Sequence, residues 1–153
     1  MGNIVSIQIA PEGEGKLESA NQVKAVAGQG LEGDRYFLRK GTYSKKHKPS
    51  REATFIEAEA LEGLQREYGL ELSALESRRN ITTRGVALNH LVGKTFRVGR
   101  AVFKGLELCE PCGHLEQLTG RQVRAGLVHR GGLRAEILES GLVCVGDGIA
   151  PLD

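Results

Sequence analysis

Two cysteines and a histidine lie together in the segment "LCEPCGH", which covers residues 108–114. The C-x-x-C spacing of Cys109 and Cys112 suits half of a zinc site, a dithiol redox pair or a loop that presents one thiolate. A zinc site needs four ligands, and only His114 and the distant His129 are candidates to complete it. A thioredoxin-like pair would open a long helix early in a βαβ unit, whereas this motif comes late in the chain. The motif therefore favours a single presented thiolate.

We expect Cys112 to be that thiolate, because a short amphipathic helical turn is predicted directly after it, at residues 115–119. A thiol at the N-terminal edge of a helix lies near unpaired N–H groups, which stabilise the thiolate. A thiolate can bind a soft metal or take part in sulfur transfer. On spacing alone, the alternative that Cys112 only packs at a turn stays open. The third cysteine, Cys144, lies in the apolar run "LVCVG" and is predicted to be a small buried hydrophobic residue.

Two segments combine arginine with residues that favour turns. "SRRNITTRG" contains Arg79 next to Asn80, and "HRGGLRA" contains Arg130 and Arg134 on either side of a Gly-Gly pair. Backbone N–H groups at a Gly-Gly turn can form an anion-binding nest, and guanidinium groups add paired donors. Such a set suits a phosphate or a polyoxo anion. The alternative is that each arginine is a solvated surface charge.

Two further segments carry charged residues with open interpretations. In "GLEGDRY", Asp34 and Arg35 could orient one another or a ligand, and turn chemistry explains them equally well. The loop at residues 38–51 is rich in Lys and Arg. It could guide an anionic ligand or partner, although an exposed loop of this composition needs no function.

Length and composition describe an ordinary globular protein. The chain has 153 residues, of which 40% are hydrophobic and 26% are charged, and we expect one domain over residues 1–153. A net charge of +2 is too small to indicate a nucleic-acid-binding protein. The sequence contains no run of about 20 apolar residues, so it predicts no membrane-spanning helix. The odd number of cysteines and the lack of a signal-peptide pattern predict a cytoplasmic protein with free thiols.

Short strands dominate the predicted elements. Residues 3–9 alternate, which places Val5, Ile7 and Ile9 on one buried face. Further strands are predicted at residues 23–27, 53–57, 80–83, 95–99, 101–109, 133–139 and 142–146.

One convincing helix follows the run "ATFIE". Its apolar face contains Ala58, Leu61, Leu64 and Tyr68, and Gly69 supplies the C-terminal stop. A parallel α/β sheet would need a helix between most strands. The pattern therefore predicts a mainly β fold, a closed or partly open β-barrel with a few peripheral helices.

The order of these motifs resembles that of MOSC domains, a family named for the C-terminal domain of molybdenum-cofactor sulfurase. "GLEGDRY", "SRRNITTRGVALNHLVGKTFRVG", "LELCEPCGHLE", "HRGGLRAEIL" and "GLVCVGDGI" occur in the family's order. The resemblance covers residues 4–149. It implies a β-barrel of the type first described in pyruvate kinase, and a role that involves the molybdenum cofactor, molybdopterin.

The resemblance also implies roles for individual residues. Cys112 would bind molybdenum, Arg79 and Arg134 would hold the phosphate and pterin of the cofactor, and Asn80 would help line the pocket. Some family members reduce N-hydroxylated small molecules, and Glu110 or His114 could then handle protons. Since the chain shows no flavin or iron–sulfur motif, such an activity would need a separate electron-transfer protein.

Two alternatives remain open beside the oxidoreductase. In a sulfur carrier, Cys112 would hold a persulfide for delivery to the cofactor, and Cys109 could resolve it as a disulfide. The chain has no pyridoxal-phosphate domain of its own, so a PLP-dependent cysteine desulfurase would be its partner. The other alternative is a non-catalytic anion-binding barrel.

Overall fold

A computed structural model describes residues 2–10, 17–34, 37, 48–110 and 123–152 of the chain. Eleven strands lie in these ranges. They are β1 (Gly2–Ile9), β2 (Glu18–Ala20), β3 (Gln22–Val26), β4 (Gly30–Leu31), β5 (Ala53–Glu57), β6 (Ile81–Arg84), β7 (Thr95–Val98), β8 (Ala101–Leu108), β9 (Leu133–Glu139), β10 (Gly141–Cys144) and β11 (Gly148–Pro151).

Seven of the strands form a closed barrel in the order β11-β7-β8-β9-β5-β6-β1, because β11 also pairs with β1. The closing pairs are Gly2 with Ile149 and Asn3 with Gly148. The pair β5 and β6 is parallel, and the other neighbours are antiparallel. β2 extends the sheet beside the second half of β1. The predicted mainly β barrel is confirmed, and it is closed.

A smaller sheet lies beside the barrel. β3 is its central strand and pairs with β10 on one side and β4 on the other. Its last strand, β10, carries Cys144, which is half-exposed and lines an open cavity of about 460 Å³ with Arg97 and Arg100. The prediction that Cys144 is buried is therefore wrong, because its neighbour Val143 occupies the inward position on β10.

Three phenylalanine rings fill the barrel. Phe55, Phe96 and Phe103 are fully buried, and their ring centroids lie 5.3 to 5.8 Å apart. Aliphatic residues from all seven barrel strands surround them. Successive residues of a strand point to opposite faces, so the polar residues between these apolar positions lie on the outside of the barrel.

β1 departs from the predicted alternation. Ile4 and Ile7 are buried in the barrel, whereas Val5 is 38% exposed. The pairing of β1 with β6 shifts between Ile4 and Ser6, which is the signature of a β-bulge. An extra residue in one strand reverses the faces of the residues before it. The predicted buried face of Val5, Ile7 and Ile9 is therefore wrong at Val5.

Among the described residues, two α-helices pack on the outside of the barrel. Helix α1 (Ala58–Tyr68) follows β5 directly and ends at Gly69, which has the left-handed φ of 66° that favours glycine. The short helix α2 (Arg124–Leu127) packs on it through Leu127. Leu64 is buried between them as predicted, but Tyr68 is 52% exposed. Within the described residues, no helix is long and apolar enough to cross a membrane.

Candidate functional site

Four polar side chains form a buried layer on the outside of the barrel. Gln8, Thr54, Asn80 and Thr82 are each at most 3% exposed. Thr54 and Thr82 alternate along their strands with core residues and so point outward. Buried polar groups are stable only when they are bonded, so the partners of this layer decide what it can do.

Asn80 connects Thr54 and Gln8 of this layer through its side-chain amide. Its Oδ1 accepts hydrogen bonds from the backbone N–H and the hydroxyl of Thr54, at 3.1 and 3.0 Å. Its Nδ2 donates to the carbonyl of Gln8 at 3.2 Å. The amide therefore joins β1 and β5 at the start of β6, and its known bonds are structural. Whether Asn80 also lines a cofactor pocket stays a prediction.

Arg79 joins three segments of the chain. Its side chain is buried, and Nε donates to the carbonyl of Gly131 at 2.8 Å. One terminal nitrogen donates to the carbonyl of Cys109 at 3.1 Å, and the other lies 3.5 Å from the carbonyl of Ser77. We call the three segments that meet here, residues 77–80, 109–110 and 129–132, the Arg79 junction.

The positive charge of Arg79 is not neutralised by any described carboxylate. Its side-chain bonds among the described residues go to backbone carbonyls. Burying a charge without a counter-charge is costly, and only two N–H groups are taken up by the two shorter bonds. Among the described residues, the junction thus holds a buried positive charge without a counter-charge.

Cys109 lies inside the same junction. It is a free thiol with 2% exposure. Its backbone N–H donates to the carbonyl of Gly132 at 2.7 Å, which ties the end of β8 to the start of β9. Its predicted catalytic role stays a prediction. Cys112, the predicted metal ligand, lies outside the described residues, as do Arg35 and most of the basic loop.

Arg134 points outward from β9. It pairs with Thr54 on β5 and with Glu107 on β8, and it is half-buried. Within the described part of the chain, its side chain makes no hydrogen bond or ion pair, so its guanidinium is available to a ligand. Since Thr54 also binds Asn80, the residue next to Arg79, both arginines lie on the same side of the barrel.

A family model described as "MOSC domain" matches residues 42–150. The chain belongs to the MOSC domain family. Membership associates it with molybdenum-cofactor chemistry. No curated protein sequence matches the chain.

Solved structures share the fold of this MOSC domain. The crystal structure of the YuaD protein from Bacillus subtilis superposes with a TM-score of 0.79 at 14% identity, covering 97% of this chain and 94% of that one. YiiM from Geobacillus stearothermophilus gives 0.77 at 14% identity, covering 100% of this chain and 76% of that one. YiiM from Escherichia coli gives 0.67 at 16% identity, with 99% and 70% covered. At these identities the likeness concerns the fold.

Two other predicted ligand-binding residues of the MOSC domain have structural partners. Arg130 donates from Nε to the carbonyl of Gly126 at 2.7 Å and forms an ion pair with Glu67 of α1 at 2.8 Å. Asp34 is fully buried, and its Oδ1 accepts from the backbone N–H of Ala10 at 2.9 Å. Their predicted roles toward a cofactor stay untested, and these contacts stabilise the helix and the turn.

The structure reveals a pair that sequence reasoning missed. Glu110 accepts two hydrogen bonds from His129, one from the backbone N–H at 2.7 Å and one at Nδ1 of the ring at 2.8 Å. The backbone N–H of His129 is the main cause that lowers the pKa of the Glu110 carboxyl below its usual value. The two residues are 19 apart in sequence, so no local spacing could have paired them.

Proposed function

We propose that this MOSC domain holds a molybdenum cofactor against the Arg79 junction and acts as an oxidoreductase on small molecules that carry an N–O bond. The observation that supports this is the buried guanidinium of Arg79, whose described partners are all carbonyls. An anionic group of the cofactor would supply the missing negative charge.

The residues around the junction fit such a group. Arg79 and Arg134 offer guanidinium donors for a phosphate, on one side of the barrel. Gln8 supplies a further feature, because its Oε1 is buried and has no hydrogen-bond partner among the residues that the structure describes. Its Nε2 donates to the carbonyl of Arg79 at 2.9 Å, which places the amide beside the junction. An unpartnered buried acceptor is the kind of group that a pterin N–H would satisfy.

In this proposal Cys112 supplies a thiolate ligand to the metal. When bound, the cofactor supplies a centre that exchanges two electrons and an oxygen atom. The chain's own residues bind the phosphate, orient the pterin and keep the anion next to Arg79. A separate electron-transfer protein delivers the electrons.

Metal analysis by mass spectrometry is the first test. The protein is purified anaerobically from a host that makes molybdenum cofactor, beside Cys112→Ala, Arg134→Ala and Arg97→Ala. We expect about one molybdenum per chain in the wild type, none in Cys112→Ala and a clear loss in Arg134→Ala. Arg97 is an exposed arginine on β7 and serves as the matched control, with full occupancy expected.

Other outcomes would overturn the proposal in distinct ways. A folded wild-type protein without molybdenum, but with one added sulfur atom on Cys112 in its intact mass, would establish the sulfur carrier, with a cysteine desulfurase as its partner. One zinc per chain would establish a zinc site instead. If the protein contains neither metal nor added sulfur, and its binding of phosphate depends on Arg134, the result would indicate a non-catalytic anion-binding barrel.

A further inference from the structure

One carboxylate holds both the backbone and the ring of His129. The two oxygens of Glu110 accept from the backbone N–H at 2.7 Å and lie 2.8 Å from Nδ1. A bidentate contact of this kind fixes the position and the orientation of the imidazole together.

His129 is also held in an uncommon backbone conformation. Its φ is +61°, in the left-handed region that few residues other than glycine adopt. Asn89 donates from Nδ2 to the carbonyl of His129 at 2.7 Å, so the residue is bonded at both its N–H and its carbonyl. Such conformations persist only where the surroundings enforce them, and they concentrate at functional sites.

The contact with Glu110 selects one tautomer of the ring. An ionised carboxylate can only accept a hydrogen bond, so in the neutral ring Nδ1 carries the hydrogen and Nε2 carries the lone pair. The His129 side chain is 77% exposed, which leaves Nε2 open to a bound molecule. The segments that carry the pair belong to the Arg79 junction, since Arg79 binds the carbonyls of Cys109 and Gly131.

We propose that His129 transfers protons at the edge of the Arg79 junction, and that Glu110 and Asn89 are its positioning residues. This inference rests on the proposed function. Reduction of an N-hydroxylated substrate breaks the N–O bond, forms an N–H bond and releases water, with two electrons from a one-electron carrier and two protons. The doubly protonated ring of His129 gives its Nε2 proton to the departing hydroxyl oxygen and becomes the neutral Nδ1–H form, still bonded to Glu110; solvent then returns a proton to Nε2.

The first test uses the protein without cofactor. In Glu110→Gln, the carboxamide oxygen can still accept the backbone N–H of His129, while its NH₂ group donates to Nδ1 and forces the ring proton to Nε2. We expect the ¹⁵N resonances of the ring to show the Nδ1–H tautomer in the wild type and the Nε2–H tautomer in Glu110→Gln. The Nε2–H tautomer in the wild type would overturn the proposal.

The second test measures turnover of the molybdenum-loaded protein with reduced viologen and an N-hydroxylated amidine. We expect His129→Ala to lower kcat by about 10²–10⁴-fold, with unchanged KM and molybdenum content, and added imidazole to restore part of the rate. His90→Gln is the control, because His90 is an exposed histidine next to Asn89 that takes no part in the pair. A His129→Ala protein within twofold of the wild type would overturn the proposal.

The two tests separate failure of this inference from failure of the proposed function. A wild-type chain without molybdenum and without turnover would contradict the proposed function. The tautomer measurement would then still show whether Glu110 positions the ring of His129. A loaded and active His129→Ala variant would contradict the inference and leave the proposed function standing.

Discussion

The side chain of Arg79 holds parts of the fold together and, in the proposed function, also binds a ligand. Its bonds to the carbonyls of Cys109 and Gly131 hold two loop segments together, and these bonds leave its charge unopposed by any described carboxylate. Arg134 differs, because its guanidinium makes no bond within the described part of the chain and is available to a ligand alone. We therefore expect loss of Arg79 to affect both stability and cofactor binding, and loss of Arg134 to affect binding only.

Glu57 is a second residue to consider, because its environment changes the pKa of its carboxyl group. It lies at the end of β5, and its Oε2 accepts from the backbone N–H of Leu88 at 3.1 Å. Partial burial raises the pKa of the Glu57 carboxyl above its ordinary value of 4.5, and the bond from Leu88 opposes this less strongly. The folded protein thus binds the proton more tightly than the unfolded chain does.

This raised pKa predicts a pH-dependent effect of Glu57→Gln. As the pH rises above 4.5, the unfolded chain loses the proton first, so the carboxylate lowers the free energy of unfolding until the folded pKa is passed. The amide of Gln keeps an acceptor for Leu88 without a charge. We expect Glu57→Gln to be more stable than the wild type at pH 7 and equal to it at pH 3, as measured by urea denaturation. A stability difference independent of pH would contradict this explanation.

At the scale of elements, the approach of β9 to β5 depends on glycine at one position. Gly132 has a φ of +124°, and a Cβ atom there would collide with the carbonyl oxygen of Phe55. The same atom would lie 3.4 Å from Nε of Arg79. Since the carbonyl of Gly132 also accepts the N–H of Cys109, this glycine lets three segments of the junction meet.

We expect Gly132→Ala to destabilise the protein by about 2–6 kcal/mol, because about 1–3 kcal/mol of backbone strain combines with about 1–3 kcal/mol of overpacking. Gly28→Ala is the matched control, because Gly28 has a φ of +75° but open space around its Cβ position. There we expect only about 1 kcal/mol, the cost of the left-handed conformation. Equal losses of unfolding free energy in the two variants would show that the close approach to Phe55 does not matter.

At the scale of the molecule, the closed barrel is one cooperative unit around its phenylalanine core. Phe103 on β8 stacks on Phe96 of β7 and meets Phe55 of β5 edge to face. Because the first and last strands pair with each other, opening the barrel at one place exposes the same core to water. The barrel should therefore unfold in a single transition.

We expect Phe103→Ala to lower the free energy of unfolding by about 3–5 kcal/mol, because it removes buried area and leaves a cavity. Leu138→Ala on β9 is the control, since this side chain is 42% exposed, and its effect should stay within about 0.5 kcal/mol. Amide hydrogen exchange should accelerate in all seven barrel strands of Phe103→Ala. Acceleration confined to β7 and β8 would contradict a single cooperative unit.

Local sequence patterns determined much of this structure. The strand predicted at residues 133–139 is confirmed as β9, whose alternation places Leu133, Ala135 and Ile137 inside and Arg134 outside. The glycine at position 69 ends α1 where predicted. Strand alternation and helix stops depend on neighbours within a few residues, and such information is present in any short segment. The mainly β fold class followed from the number and spacing of these segments.

Only the tertiary structure decided the bulge in β1 and the membership of the Arg79 junction. A bulge arises from the pairing with β6, so Val5 cannot be assigned to a face from its own strand. Arg79 and Arg130 look equivalent in the sequence, yet the side chain of Arg79 binds carbonyls inside the junction and the side chain of Arg130 binds α1. Glu110 meets His129 only because the pairing of β8 with β9 brings the end of β8 against the segment before β9. Contacts between distant segments follow from the packing of the whole chain, and no local period encodes them.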